Sequence, residues 1–136
     1  MKGVNRVLVV AGVIEREGRI LIAQRRRGGR HELKWEFPGG KVEPGEEPHA
    51  ALERELREEL AIEATIGEEM AREQVAYPGR RRIELIFYRV TEFQGEPQNL
   101  DFEQIVWAAR DELQSYDFLE GDLPFVTKLA RGTLYN

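Results

Sequence analysis

A chain of 136 residues, 41% hydrophobic and 33% charged, is about one domain of ordinary globular sequence and can bury roughly two-thirds of the surface its unfolded form exposes. A formal charge of −5 argues against stable association with a nucleic-acid duplex, which needs a broad basic face. The lack of cysteine excludes disulfides, thiol catalysis and thiolate metal sites and fits a reducing, cytoplasmic setting, and two histidines are too few for a His-rich metal centre.

The chain opens with Lys2 and Arg6 ahead of an apolar run, superficially like a leader. That run covers only Val7 to Ile14, breaks at Glu15 and lacks a small-x-small cleavage site, so Val4 to Ile14 is read as a buried first strand. No run is long enough to span a bilayer. Arg19 to Gln24 forms a second strand after a turn at Glu15-Arg16-Glu17-Gly18, and Arg25 to Lys34 is a polar loop. Trp35-Glu36-Phe37 then meets a strong break at Pro38-Gly39-Gly40. From Pro48 to Leu60 the pattern is helical, with Leu52, Leu56 and Leu60 four apart and Pro48 near the first helical position. Strands follow around Glu63 to Ile66, Ala71 to Tyr77, Ile83 to Thr91 and Gln104 to Ala108, with turns at Pro78-Gly79 and Gln94-Gly95. Arg110 to Ser115 is a short helix, and a last helix runs from Asp122-Leu123-Pro124 to Arg131 with Asp122 as its N-cap. Without repeats or linkers, residues 1–136 are read as a single α+β domain.

Charge is unevenly spread. Arginines cluster at Arg25, Arg26, Arg27 and Arg30 and again at Arg80, Arg81 and Arg82, while acids crowd between Glu43 and Glu59. Such an acidic patch beside arginines suits a small polyanion that arrives with metal ions. At about 100° per residue, Glu55, Glu58 and Glu59 fall within one arc of about 100°, beside the leucine stripe. Like charges at that spacing cost a helix roughly 0.2–0.5 kcal/mol each, and a divalent cation removes the cost. On the helix alone, a solvated face with Glu and Arg pairing four apart is the commoner reading. The preceding loop shifts the balance, because Gly39-Gly40 permits close backbone approach and Glu46 stands at the mouth of the same helix.

The spacing Gly40-x5-Glu46-x7-Arg54-Glu55-Leu56-x-Glu58-Glu59 resembles the Nudix box and matches every charged position of that 23-residue motif. Trp35 to Glu46 is similar to the MutT branch, whose members cleave nucleoside triphosphates, and weaker likeness extends over nearly the whole chain. The resemblance implies a Nudix-type α/β/α sandwich with a mixed β-sheet. It also implies hydrolysis of a nucleoside triphosphate, oxidised or normal, to monophosphate and pyrophosphate, with Mg²⁺ as cofactor and Mn²⁺ as a substitute. The motif departs at Ala61, where the family has a glycine that ends the helix, and at Glu47, where a Ser or Thr cap is common.

Carried over by position, Glu55, Glu58, Glu59 and the Gly39 carbonyl are metal ligands, and Glu46 is an accessory acid paired with Arg54. Asp101 completes the metal or base set, with Glu103 as its competitor. Arg25 matches a phosphate-contacting arginine, and Arg81 belongs to the second basic cluster expected to meet substrate. Phe37 is the expected wall for the base. Asp122 either reads the base edge or caps the last helix, and an ionised Asp122 would accept hydrogen bonds only. Tyr77-Pro78 leaves open an ADP-ribose or dinucleoside polyphosphate substrate, although a hairpin turn is the favoured explanation of the pair. A catalytically dead nucleotide-binding version would have eroded carboxylates, and none is missing. A monomer or homodimer is expected, with no membrane partner.

Overall fold

The computed structural model describes residues 6–76 and 82–132. Its strands are β1 (Arg6–Val13), β2 (Glu15–Arg16), β3 (Arg19–Gln24), β4 (Trp35–Glu36), β5 (Gly39–Lys41), β6 (Glu63–Ala76), β7 (Arg82–Gln94) and β8 (Gln104–Ala109). The helices are α1 (Pro48–Leu60) and α2 (Leu123–Arg131), with 3₁₀ turns at Arg110–Ser115 and Glu120–Asp122. One sheet is mixed, in the order β5-β1-β7-β6, with β1 and β7 parallel and the other pairs antiparallel. In the other sheet, β3 pairs with β2, β4 and β8, all antiparallel.

The middles of the central strands are largely apolar because both of their faces are covered. Leu21 and Ala23 of β3 join Leu52, Leu56 and Leu60 of α1 in one core, while Ile20 and Ile22 join Phe125, Val126 and Leu129 of α2 in the other. Strand β7 divides the same way, with Ile86 and Tyr88 toward α1 and Leu85 and Phe87 toward α2. This is the expected α/β/α sandwich, its middle layer made of two sheets. Each fully buried leucine of α1 contributes roughly 1.5–3 kcal/mol.

Several elements differ from the sequence reading. The Gly-Gly break is itself strand β5, whose backbone pairs with Val9 to Ala11. Turn chemistry marked those glycines as irregular, but a strand that must lie close to its neighbour also favours residues without a Cβ. The two strands expected between Glu63 and Tyr77 are one strand, β6, interrupted by three register shifts near Ile66 to Ala71. Bulges there break the polar/apolar alternation, so one strand reads as two. The turn at Pro78-Gly79 lies outside the described residues, as do Tyr77 and Arg81.

Helix α1 starts at Pro48, and Glu47 makes no side-chain cap. It ends at Ala61, which holds the left-handed conformation with φ 60° and ψ 35° and donates its N–H to the Arg57 carbonyl. A Cβ is disfavoured there by roughly 1 kcal/mol. Ala61→Gly is therefore expected to stabilise the protein by about 0.5–1 kcal/mol. Thermal melts should show a rise of a few degrees, and a fall would mean that the methyl group is compensated by packing.

Candidate active site

Strand β5 and helix α1 bring backbone and carboxylates into direct contact. A Cβ built on Gly40 would lie 2.4 Å from the Glu55 carboxylate, and one on Gly39 would lie 2.0 Å from the Val10 carbonyl oxygen. Glycine at both positions lets the strand sit between β1 and the helix. The Gly39 N–H donates to Glu59 Oε1 at 3.1 Å, tying the end of the helix to the strand.

Glu59 is 8% exposed. Burial pushes its carboxyl up to about 10, with Glu55 and Glu36 adding to the shift and the Gly39 N–H opposing it. Burial also raises Glu55, against the pull of a hydrogen bond with Glu59 and the charge of Arg54. The pair therefore shares a proton rather than holding two adjacent negative charges. Among the described residues, no three acid or imidazole side chains converge on one point. Glu58 is exposed and lies against Arg54 Nη1 at 3.3 Å. The carboxylates here are oxygen ligands of the kind a hard divalent cation prefers, and Arg54 Nη1 lies against both Glu55 and Glu58.

Arg54 organises the loop before the helix. It donates to both oxygens of Glu46 at 2.7 and 2.9 Å, to Glu55 at 3.3 Å and to the Lys41 carbonyl at 3.2 Å. The Glu43 N–H donates to the same Glu46 carboxylate. The Arg54 hydrogen bond, then that from Glu43, hold Glu46 down at about 2. An acid held so low is a poor proton acceptor near neutral pH, which suits a positioning role.

A further acid, the partly buried Glu36, was missed in the sequence. It sits on β4 with burial raising its carboxyl against the charge of Arg25, and Asp101 lies close enough to raise it further. Glu36 in turn raises both Glu59 and Asp122. Charge coupling thus links Glu55 to Glu59, Glu59 to Glu36 and Glu36 to Asp122, an acid line that Asp101 joins at Glu36. A lone glutamate between two aromatic residues of a short strand was the available signal.

The remaining candidates fall into place with corrections. Arg25, expected on phosphate, donates to Glu36 at 3.1 Å and to the Arg30 carbonyl at 2.9 Å. Phe37 is 3% exposed and packs among Phe87, Phe118 and Phe125, so its ring belongs to the core rather than to a pocket wall. Asp122 precedes α2 but makes no side-chain cap. It is 5% exposed, its carboxyl takes a hydrogen bond from the Phe37 backbone, and burial followed by Glu36 raises it well above the usual range. Burial thus works against the ionised form of Asp122. Glu103 accepts from the Arg27 N–H at 3.2 Å.

Comparisons with known proteins place the whole fold. A family model for the NUDIX domain matches residues 4–129. The chain is 45% identical over 118 residues to a CTP pyrophosphohydrolase of Escherichia coli, covering 87% of each. It is 37% identical over 128 residues to an 8-oxo-dGTP diphosphatase of Haemophilus influenzae, covering 93% of each. Among solved structures, the Escherichia coli ORF135 protein superposes with a TM-score of 0.85 at 42% identity, covering 96% of this chain and 91% of that one. A MutT protein of Methanosarcina mazei has a TM-score of 0.84 at 19% identity, covering 98% and 99%, and so shares the fold.

Two outcomes follow from the acid pair. Gly40→Ala should displace Glu55 and abolish most cation-dependent activity while shifting the melting temperature far less, and an active variant would show that strand and helix can separate. Glu59 keeps a proton in the folded state up to about pH 10 that the unfolded chain releases near 4.5. Its contribution therefore favours folding below pH 4.5 and is lost as pH rises toward 10. In EDTA, Glu59→Gln should melt above the parent at pH 8 and close to it at pH 5, with hydrolysis lost. A parent that melts higher at pH 8 would contradict the shared proton.

Proposed function

This chain belongs to the Nudix hydrolase family, and on that footing we propose that it hydrolyses nucleoside triphosphates to monophosphate and pyrophosphate, with cytidine nucleotides first among its substrates. The observation that carries the reaction class is the Glu55 and Glu59 pair set against the glycine backbone of β5. Nudix hydrolases generally need divalent cations. We assign Mg²⁺, with Mn²⁺ as a substitute, to Glu55, Glu58, Glu59 and the Gly39 carbonyl, oxygen ligands that suit a hard cation once Glu58 turns from Arg54. When bound, the cation supplies positive charge for the phosphate oxygens and makes water more acidic.

The protein's own groups do the rest. Glu46 and Arg54 hold the loop so that Glu55 and Glu58 keep their places on the helix. Asp101 adds negative charge beside Glu36, and Arg25 neutralises part of that charge where phosphates would approach. The apolar wall expected of Phe37 is better supplied by Val9, Met70 and Ala71, which are partly buried on the α2 side of the mixed sheet.

We place the base beside Asp122 and Glu36, whose carboxyls burial pushes above the usual range, toward the neutral form. A neutral carboxyl donates through its O–H and accepts through its C=O. Cytosine offers the complement, an acceptor at N3 beside a 4-amino donor. The similarity to a CTP pyrophosphohydrolase supports the same choice. A second reading, an oxidised purine with its N7–H as donor, is supported by the relatives named 8-oxo-dGTP diphosphatase. The ADP-ribose reading depended on Tyr77-Pro78, which lie outside the described residues.

Initial rates for CTP, dCTP, UTP, 8-oxo-dGTP, dGTP and ADP-ribose decide among these, with cytidine nucleotides expected to give the highest kcat/KM. Asp122→Asn fixes donor and acceptor on one amide and removes the charge that Glu36 opposes. It should change the CTP to 8-oxo-dGTP ratio by about tenfold, a difference of about 1.4 kcal/mol, with little change in melting temperature. An equal loss for every nucleotide would move the base pocket elsewhere.

A further inference from the structure

The loop 25–34 and the loop 95–103 leave the same end of one ladder, because β3 and β8 pair with Gln24 opposite Gln104. The Glu103 N–H donates to the Gln24 carbonyl at 2.9 Å, and the Gln104 side chain donates to that of Gln24 at 2.8 Å. Beyond the ladder two more bonds cross between the loops. Arg26 Nε donates to the Asp101 carbonyl at 3.0 Å, and the Arg27 N–H donates to Glu103 Oε1 at 3.2 Å.

The second loop is also fixed from below. The N–H groups of Gln98 and Leu100 donate to the carbonyls of Leu60 and Glu59, occupying acceptors that the end of α1 would otherwise leave open. Asn99 and Phe102 exchange two hydrogen bonds, and Phe102 is 5% exposed. Asp101 therefore sits on a short span held at Leu100 and Phe102, and Arg26 grips the one backbone carbonyl between them.

We propose that Arg26 and Glu103 are positioning residues that latch the two loops together and so fix Asp101 beside the acid line. The inference rests on the reading that Glu55 and Glu59 hold a divalent cation and that Asp101 assists them. It separates two acids that the sequence left in competition, giving Asp101 to the site and Glu103 to the latch.

Charge alone predicts a different result from a latch. Removing Arg26 takes away a positive charge and would tighten cation binding by simple attraction, whereas removing Glu103 would weaken it. A latch requires both removals to weaken it. Direct Mn²⁺ binding, measured by the loss of the free-ion paramagnetic resonance signal, is the readout, with kcat and KM measured alongside. Arg26→Ala and Glu103→Ala are each expected to weaken Mn²⁺ binding about three- to tenfold with melting temperatures near the parent's. Glu103→Gln keeps an acceptor for the Arg27 N–H and should bind close to the parent. Asp101→Asn should weaken binding similarly, and Arg26→Ala added to it should weaken binding no further, because the two act through one carboxylate.

Tighter binding in Arg26→Ala, additive losses in the double variant, or an unchanged affinity in Asp101→Asn would each overturn the latch. Failure of the underlying reading looks different. In that case Glu59→Gln would itself retain Mn²⁺ binding and hydrolysis.

Discussion

Everything at this site depends on a helix carboxylate resting on a backbone that carries no side chain. The Glu55 carboxylate occupies the space a Cβ on Gly40 would fill, and Glu59 takes the N–H of Gly39. The contact fixes β5 against β1 on one side and α1 on the other. Its cost is a buried Glu59 held beside a partly buried Glu55, and the fold meets that cost in the leucine stripe of the same helix. Leu52, Leu56 and Leu60 are all fully buried, and their packing holds the acids where solvation alone would not leave them.

Much of this was legible in the sequence because it is written in local spacing. The limits of α1 followed from Pro48 and the leucines, and the left-handed end at Ala61 from a missing glycine. The carboxylates of the helix follow from helical geometry. What stayed hidden depends on contacts distant in sequence. Glu36 looks like any strand acid until β3 and β4 pair and partly bury it, and Phe37 looks like a base platform until Phe118 and Phe125 arrive from far along the chain. Arg25 is drawn to Glu36 for the same reason. Short polar motifs announce chemistry, whereas the direction a side chain faces is decided by tertiary packing.

Asp122 shows the distinction most clearly. An Asp before Leu-Pro reads as a helix cap, and position alone cannot say where its carboxyl points. In the fold it leaves the helix uncapped and turns to the Phe37 backbone, next to Glu36. A helix that forgoes its cap loses about 1 kcal/mol. Here α2 retains its place through Phe125, Val126 and Leu129, all at most 1% exposed.

The mixed sheet also has an open border, because β6 lies at its edge and is 14 residues long. A flat strand of that length would be an inviting template for another chain's backbone. This one is broken by three register shifts and carries Glu68, Glu69, Arg72 and Glu73 in its middle. Irregular spacing spoils the ladder a second strand would need, and the charges would have to be stripped of water to form it. The bulges that obscured this strand in the sequence thus guard against aggregation, letting the protein reach high concentration without its sheet growing from one molecule into the next.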